Sequence, residues 1–275
     1  MTTPVAAGSV REALSAAVDA LQAAGVETPR LDAELLLADA IGVQRARLAA
    51  DPEGAVPPRA GRQFGAMIRR RLRREPVAYV LGRKGFRHIE LGVDRRALIP
   101  RPETELLVEV ALELRPASVL DVGTGSGAVA LAIAAELPDC AVTATDASPE
   151  ALELAAENAG RLGLGGRVRF LEGSVPDGES FELTVANLPY VAEAEFPRLA
   201  PEIREWEPPE ALLGGRDGLD AFRELLPQIG SGALALEVGA GQAAAVAGLM
   251  RGAGFAEIGV RRDLAGIERV VRGSR

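Results

Sequence analysis

Apolar residues recur at helical spacing over the first third of the chain. Residues 8–24 and 30–41 each carry Leu, Val or Ala side chains three or four positions apart, and each segment ends before a glycine. Pro57 and Pro58 are predicted to open a third helix that runs to about Arg74, because proline is well tolerated in a first turn. These segments predict a small helical domain over residues 1–80.

The third helix ends in the basic run RRRLRR at 69–74. Such a run is typical of a solvated helix face, and a surface for a partner is the second interpretation. We therefore expect these arginines to lie in water.

Residues 84–99 alternate between polar and apolar and contain Gly92, a pattern that predicts a β-hairpin linking two parts of the chain over 81–99. Beyond residue 117 the pattern changes to short apolar strands. The strands are predicted at 118–122, 141–146, 168–172, 183–187, 232–238, 255–261 and 267–271. Helices are predicted between the first three strands, at 126–136 and 149–160.

Strands that alternate with helices indicate a parallel sheet covered on both faces. The last two strands are close enough in sequence to form an antiparallel pair at the sheet edge. The predicted fold class is therefore α/β, with a doubly wound, Rossmann-like sheet of seven strands over residues 100–275. The small all-helical domain and the hairpin linker precede it.

Composition narrows the class of protein. The 275 residues are 48% hydrophobic and 25% charged, as in a folded globular protein, and aromatic residues are only 4%. No run of eighteen apolar residues occurs, and the start of the chain lacks the order of a secretion signal. We therefore expect a cytoplasmic protein without a membrane segment.

Cys140 is the only cysteine and His88 the only histidine. An internal disulfide is excluded, and a zinc site built from Cys and His ligands cannot be assembled, so no metal is expected. A histidine-based catalytic unit would have to use His88, which we expect at the surface. Cys140, beside a predicted strand, is expected to be a small buried residue.

The charge is unevenly divided. Residues 1–85 hold 13 basic and 9 acidic residues, a balance of +4, whereas the remainder holds 18 and 30, a balance of −12. Broad binding of nucleic acids depends on contacts with phosphates, which an acidic main body disfavours. No direct nucleic-acid substrate is therefore expected.

A glycine-rich turn follows the first strand of the predicted sheet. Its residues are Asp121, Gly123, Thr124, Gly125, Ser126 and Gly127. The glycines let the backbone turn sharply and approach a ligand closely, and Asp146 ends the second strand, where a carboxylate can accept both ribose hydroxyls of a nucleoside cofactor. The G-x-G-x-G spacing after an aspartate resembles the S-adenosylmethionine motif of seven-stranded methyltransferases.

The tetrapeptide Asn187, Leu188, Pro189 and Tyr190 closes the fourth strand, at the sheet edge where ligands bind. An amide nitrogen is a poor nucleophile because its lone pair is delocalised. The Asn187 side-chain oxygen and the Leu188 carbonyl can each accept one N–H of an NH₂ group, which would orient the nitrogen for attack. Tyr190 would stack on the planar group and Pro189 would stiffen the turn.

Together these motifs place the chain near a known family. Over nearly its whole length it resembles the HemK-type release-factor glutamine methyltransferases. Besides DVGTGSG and NLPY, the resemblance is carried by RLDAELLLADAIG (30–42), EPVAYVLGRKGF (75–86), LIPRPETELLVE (98–109), EPPEALLGGRDGLDAFR (207–223) and DLAGIERVV (263–271).

The resemblance implies a helical domain that docks a peptide-chain release factor and presents its Gly-Gly-Gln loop. It implies that the glycine turn, Asp146 and the Ser174-Val175 pair hold S-adenosylmethionine, with Pro100 to Glu105 beside its methionine end. Asn187 to Tyr190 would hold the glutamine amide. Two positions depart from the family pattern, because Leu188 stands where proline is usual and Ser174 stands near where an acidic residue is expected.

Three alternatives stay open at the level of sequence. The first is glutamine methylation of a ribosomal protein. The second is adenine-N6 methylation in RNA or DNA, since NLPY also resembles the motif of ribosomal-RNA adenine dimethyltransferases. The third is a binding protein that keeps the fold without turnover.

Overall fold

The computed structural model describes residues 8–230 and 232–275. The chain divides into two compact units, one up to Gly82 and the other from Arg83 onward. Within the described ranges, no helix has the length and apolar character that a bilayer crossing requires.

The first unit consists of helices. They are α1 (Val10–Ala23), α2 (Pro29–Ile41), α3 (Arg45–Ala50), α4 (Pro58–Leu72) and α5 (Val77–Leu81). Ser9 starts α1 with a capping box, in which its hydroxyl accepts the Glu12 N–H at 3.2 Å and its own N–H reaches the Glu12 carboxylate at 2.9 Å. The apolar faces of α1, α2 and α4 meet in one core that contains Leu21, Leu36 and Phe64. The three predicted helices are confirmed, and α3 and α5 are additional.

The basic run at 69–74 does not behave as predicted. Arg71 is only 5% exposed, and its Nε lies 2.7 Å from Oδ2 of Asp32, which is also buried. Thr28 donates its hydroxyl to the other oxygen of Asp32 at 2.8 Å. The interpretation as a solvated face is therefore wrong for Arg71, because a buried carboxylate in α2 provides it with a partner.

The second unit opens with a hairpin of β1 (Arg83–Phe86) and β2 (Ile89–Gly92). Its turn lies at Arg87 and His88, and His88 is exposed as expected. Gly92 ends the second strand, where its N–H and C=O both bond the side chain of Asn158, at 2.7 and 3.0 Å. The hairpin is shorter than the alternating segment 84–99, because residues after Gly92 bury apolar side chains without strand pairing.

A seven-stranded sheet forms the body of the second unit. Its strands are β3 (Ser118–Val122), β4 (Ala141–Asp146), β5 (Val168–Glu172), β6 (Leu183–Ala186), β7 (Ala233–Glu237), β8 (Ala256–Arg262) and β9 (Glu268–Ser274). They lie in the order β5-β4-β3-β6-β7-β9-β8, and β9 pairs antiparallel with both neighbours. The predicted fold class is confirmed, including the antiparallel pair at the edge.

Helices accompany the sheet. They are α6 (Glu105–Leu114), α7 (Ala128–Glu136), α8 (Pro149–Arg161), α9 (Pro201–Arg204), α10 (Asp220–Leu225) and α11 (Ala243–Gly252). Helix α7 is apolar on all sides, with every residue from Ala128 to Ala134 buried, because it packs both on the sheet and on α6. Cys140 is buried beside β4, and burial raises the pKa of its thiol, in agreement with a packing role.

The Asp32–Arg71 pair gives a test of the first unit. Asp32→Asn leaves the Arg71 charge buried without its carboxylate, so we expect a loss of about 3 kcal/mol in the free energy of unfolding. Hydrogen exchange of the amides in α1, α2 and α4 measures this locally. Asp19→Asn makes the same chemical change at an exposed site of α1 and should alter stability by less than about 0.5 kcal/mol. Equal protection in the two variants would contradict the role of the pair.

Candidate active site

The carboxyl ends of β3, β4, β5 and β6 border a cavity of about 670 Å³. β3 pairs in parallel with β4 on one side and with β6 on the other. The chain continues from β3 to β4 in one direction across the sheet and from β6 to β7 in the opposite direction. This is the switch point where open α/β sheets bind ligands. Among the predicted site residues, the cavity is lined by Asp121, Gly123, Thr124, Gly125, Ser126, Asp146, Ser174, Asn187, Leu188 and Pro189.

Three predicted site residues are not part of this wall: Gly127, Val175 and Tyr190. Gly127 has a φ of 83° at the start of α7, and a Cβ there would lie 2.9 Å from Leu131 Cδ1. This glycine therefore allows the helix to pack closely rather than opening space for a ligand. Val175 and Tyr190 pack against the hydrophobic core.

The glycine turn is fixed by backbone bonds to β4. The N–H groups of Gly123 and Thr124 both donate to the Thr145 carbonyl at 2.9 Å. The N–H of Gly125 donates to Oδ2 of Asp146 at 2.8 Å. The turn after β3 and the carboxylate that ends β4 are thus held together before any ligand binds.

Asp121 organises the turn from inside. Its side chain is buried, and Oδ2 accepts both the Thr124 hydroxyl at 2.7 Å and the Ala130 N–H at 3.1 Å. Burial raises the pKa of this carboxyl from 3.8 to about 6, these two hydrogen bonds oppose the rise, and the charge of Asp146 adds to it. Asp121 therefore joins the end of β3 to the first turn of α7.

Asp146 is half-buried at the cavity wall. Its Oδ1 accepts the Ser148 N–H at 2.9 Å, while Oδ2 accepts the bond from Gly125. Each carboxylate oxygen can accept more than one hydrogen bond, so both retain acceptor capacity toward the cavity. Ser148 in turn caps α8 by accepting the Ala151 N–H at 3.1 Å. A pair of oxygens held in this way suits two neighbouring hydroxyl groups.

Asn187 follows β6 and lines the cavity. Its Nδ2 donates to Oγ1 of Thr104 at 3.1 Å. Thr104 immediately precedes α6, but its side chain makes no capping bond and accepts the Asn187 amide instead. The Leu188 side chain is buried in the core, so its backbone is anchored at the cavity wall.

Tyr190 is half-buried beside the core, and burial raises the pKa of its phenol to about 12. Its backbone carbonyl accepts Nε2 of Gln242 at 2.9 Å. The Gln242 Oε1 also accepts the Gly239 N–H at 2.9 Å, which ties the turn after β6 to the turn after β7.

Two further segments, which lie outside the glycine turn and the NLPY motif, contribute residues to the cavity wall. Glu207 is buried, and its carboxylate accepts the Ile99 N–H at 3.1 Å and a short bond from Arg101. This ion pair holds the segment Pro100 to Thr104 against the segment that begins at Glu207, and both line the cavity or adjoin it. The sequence marked both segments as family-like, yet only the fold shows that they touch. Further lining residues include Glu210, Ala221, Glu224 and Gln228.

Two family models match the chain. One is the PrmC N-terminal domain, over residues 12–82, and the other is a methyltransferase domain, over residues 119–209. The release factor glutamine methyltransferase of Caulobacter vibrioides is 42% identical over 274 residues, covering 95% of this chain and 95% of that protein. That of Moorella thermoacetica is 43% identical over 274 residues, covering 95% and 96%.

Among solved structures, a methyltransferase from Pyrococcus furiosus has a TM-score of 0.50 at 16% identity, covering 67% of this chain and 87% of that one. This likeness concerns the fold. The order of the strands in the sheet and the match to the methyltransferase domain model define the class of this protein as a Rossmann-like methyltransferase. With relatives this similar over nearly the full length, the chain belongs to the release factor glutamine methyltransferase family. The family resemblance that the motifs indicated is confirmed.

The pKa of Asp121 predicts a pH dependence of stability. Because the folded-state pKa is raised from 3.8 to about 6, the native state binds the proton more tightly than the unfolded chain. The stabilisation is present below about pH 4 and is lost as the pH rises to about 6, on the order of 3 kcal/mol. Asp121→Asn lacks this titration, so its stability relative to wild type should increase across that window.

Urea unfolding at a series of pH values, followed by fluorescence of the single tryptophan, Trp206, measures this difference in the second unit. Parallel stability profiles for the two proteins between pH 4 and 7 would show that Asp121 is not the titrating group.

Proposed function

We propose that this protein transfers a methyl group from S-adenosylmethionine to the side-chain amide nitrogen of the glutamine in the Gly-Gly-Gln loop of peptide-chain release factors. The observation that carries the proposal is the near-full-length similarity to relatives named for this activity. The presence of Asn187 on the wall of the cavity at the sheet switch point supports it.

The residues of the cavity fit S-adenosylmethionine. The cavity has a volume of about 670 Å³, which is within the usual range for a cofactor site. The turn through Gly123 and Gly125 allows close approach of a ligand to the backbone, and Asp146 offers oxygens for two ribose hydroxyls. Ser174 lines the cavity and is assigned to the adenine side, whereas Val175, the other predicted residue of this pair, packs against the core. When bound, S-adenosylmethionine supplies an electrophilic methyl group on a sulfonium.

Asn187 and Leu188 are assigned to the glutamine amide. The Nδ2 of Asn187 is engaged by Thr104, so its Oδ1 is the atom available to accept one N–H of the substrate. The Leu188 carbonyl accepts the other, and a backbone carbonyl is independent of whether leucine or proline occupies the position. These two bonds fix the direction of the nitrogen and stabilise the geometry in which its lone pair can attack. Pro189 stiffens the turn, and Tyr190 is the candidate for stacking on the planar amide.

This chemistry needs no general base before transfer, because the amide proton becomes acidic once nitrogen carries the methyl group. The only histidine, His88, is exposed in the hairpin turn. The proposed mechanism therefore uses hydrogen-bond acceptors at the sheet edge and needs no side chain that abstracts a proton.

The helical domain at residues 1–80 is assigned to docking of the release factor. Support comes from the family model that matches residues 12–82. The excess of basic residues over residues 1–85, 13 against 9 acidic ones, gives this part of the chain a charge opposite to that of the rest.

Transfer of labelled methyl from S-adenosylmethionine to a purified release factor tests the proposal. We expect label on the intact Gly-Gly-Gln loop and none on a Gln→Ala loop variant, on a ribosomal protein fraction or on ribosomal RNA. Label that persists in the loop variant, or label on ribosomal RNA or a ribosomal protein in place of the release factor, would contradict it.

Asn187→Ala tests the role of the side-chain acceptor. Loss of one acceptor for the substrate amide should lower kcat by about 100-fold or more, in the range found for a single transition-state hydrogen bond. Binding of S-adenosylmethionine, measured by calorimetry, should change by no more than about fivefold. A variant with wild-type kcat would remove Asn187 from the mechanism.

A further inference from the structure

The turn between β8 and β9, residues 263–267, carries apolar side chains into water. Leu264 is fully exposed, and Ile267 is partly exposed. The turn belongs to DLAGIERVV, a stretch that carries the family resemblance and that the proposed reaction does not use. A single exposed leucine is ordinary on a protein surface. The rigidity of this turn and its place in the sheet are what distinguish it.

The turn is held by its own hydrogen bonds. Oδ1 of Asp263 accepts the N–H groups of Ala265 and Ile267, each at 2.9 Å. The Asp263 N–H donates to the Ile267 carbonyl at 2.8 Å, and the Gly266 N–H donates to the Asp263 carbonyl at 2.9 Å. Gly266 has a φ of 79°, which glycine adopts without strain. Leu264 is therefore presented by a rigid turn, so little conformational entropy of the backbone is lost when a partner binds it.

The strand order places this turn at the same edge of the sheet as the cavity. β7 runs parallel to β6, and β9 runs antiparallel to β7, with Val270 opposite Glu237. The start of β9 therefore lies beside the carboxyl end of β7, where the Val238 N–H donates to the Arg269 carbonyl at 2.8 Å. The carboxyl ends of the parallel strands border the cavity, so the turn that precedes β9 projects from the edge that holds the candidate active site.

The Arg269 side chain connects the turn to the cavity wall. Its Nε lies 2.9 Å from Oδ2 of Asp263, and its Nη2 lies 3.6 Å from Oε1 of Glu103. Glu103 is followed by Thr104, which lines the cavity and accepts the Asn187 amide. Two ion pairs thus lead from the turn to the segment that holds the proposed substrate ligand.

A protein substrate needs more surface than the cavity itself provides. A stable complex covers on the order of 800 Å² on each partner, and the cavity accounts for the cofactor and one side chain only. The contact must therefore extend over the surface around the cavity. The charged residues at the base of the turn are paired with each other, Arg262 with Glu268 and Arg269 with Asp263. What the turn offers to a partner is therefore its apolar side chain.

We infer that Leu264 is a docking contact for the release factor, and that it enters an apolar recess on the surface next to the Gly-Gly-Gln loop. Ile267 adds apolar area beside it. The inference rests on the proposed function and names one contact through which the protein substrate is held at the cavity. Because the contact is apolar, its contribution to binding is independent of salt concentration, unlike that of an exposed ion pair.

The test compares Leu264→Ala and Leu264→Met with wild type in the release-factor assay. Alanine removes most of the apolar contact, so the KM for the release factor should rise about 10-fold, with kcat and the KM for S-adenosylmethionine within about twofold. Methionine keeps the apolar area and should behave nearly as wild type. Leu114→Ala makes the same change at an exposed leucine that ends α6, near the amino end of β3, and should also behave as wild type.

Calorimetric titration with the release factor measures docking without turnover. Leu264→Ala should bind about 10-fold more weakly than wild type, at low and at high salt alike. Circular dichroism and Tm should be unchanged in this variant, because Leu264 packs against nothing in the folded protein. Sedimentation of wild type and Leu264→Asp shows whether a second copy of the chain covers the turn instead.

The possible failures are distinct. A wild-type enzyme that does not methylate the release factor would overturn the proposed function and this inference with it. An active wild type whose Leu264→Ala variant keeps its KM and its affinity for the release factor would overturn the inference alone. A fall in kcat at unchanged KM would do the same, as would a wild-type dimer that Leu264→Asp dissociates.

Discussion

The parallel pairing of β3 with both β4 and β6 is the constraint on which the site depends. In this register Val122 lies opposite Thr145 and Ala186, so the residues that follow the three strands emerge side by side. The bonds from the glycine turn to the Thr145 carbonyl and the Asp146 carboxylate then fix the loops against each other. A shift of one residue in either pairing would turn the strand side chains to the other face and separate these groups.

Buried acidic side chains lie at this edge of the sheet, and their burial lowers the stability of the folded protein. Asp121 and Glu237 both have pKa values raised by burial, to about 6 and about 7, so ionising them in the folded protein is unfavourable. Asp121 nevertheless accepts a hydrogen bond from Thr124, which lines the cavity. A buried carboxylate contributes little to stability. Because an ionised carboxylate can only accept hydrogen bonds, it does fix the direction in which neighbouring groups donate.

The sequence predicted local elements closely where periodicity carries the information. The first four strands of the parallel sheet were predicted to within a residue, because each is a short apolar run between a turn and a helix. The sequence was less informative about the burial of a side chain whose partner lies far away along the chain. Arg71 belongs to a run that resembles a solvated face, and only the position of Asp32 in a neighbouring helix makes burial acceptable.

The sequence by itself determined the fold class, the family and the presence of a cofactor-type turn and an NLPY motif, because these depend on residue types at fixed local spacing. Tertiary structure decided that Gly127 and Val175 face the interior while Gly125 and Ser174 line the cavity. It also brought Thr104 and Asn187 together across 83 positions and joined Arg101 to Glu207 across 106. Such contacts follow from strand order and register, which are set by the packing of the whole sheet rather than by any one segment.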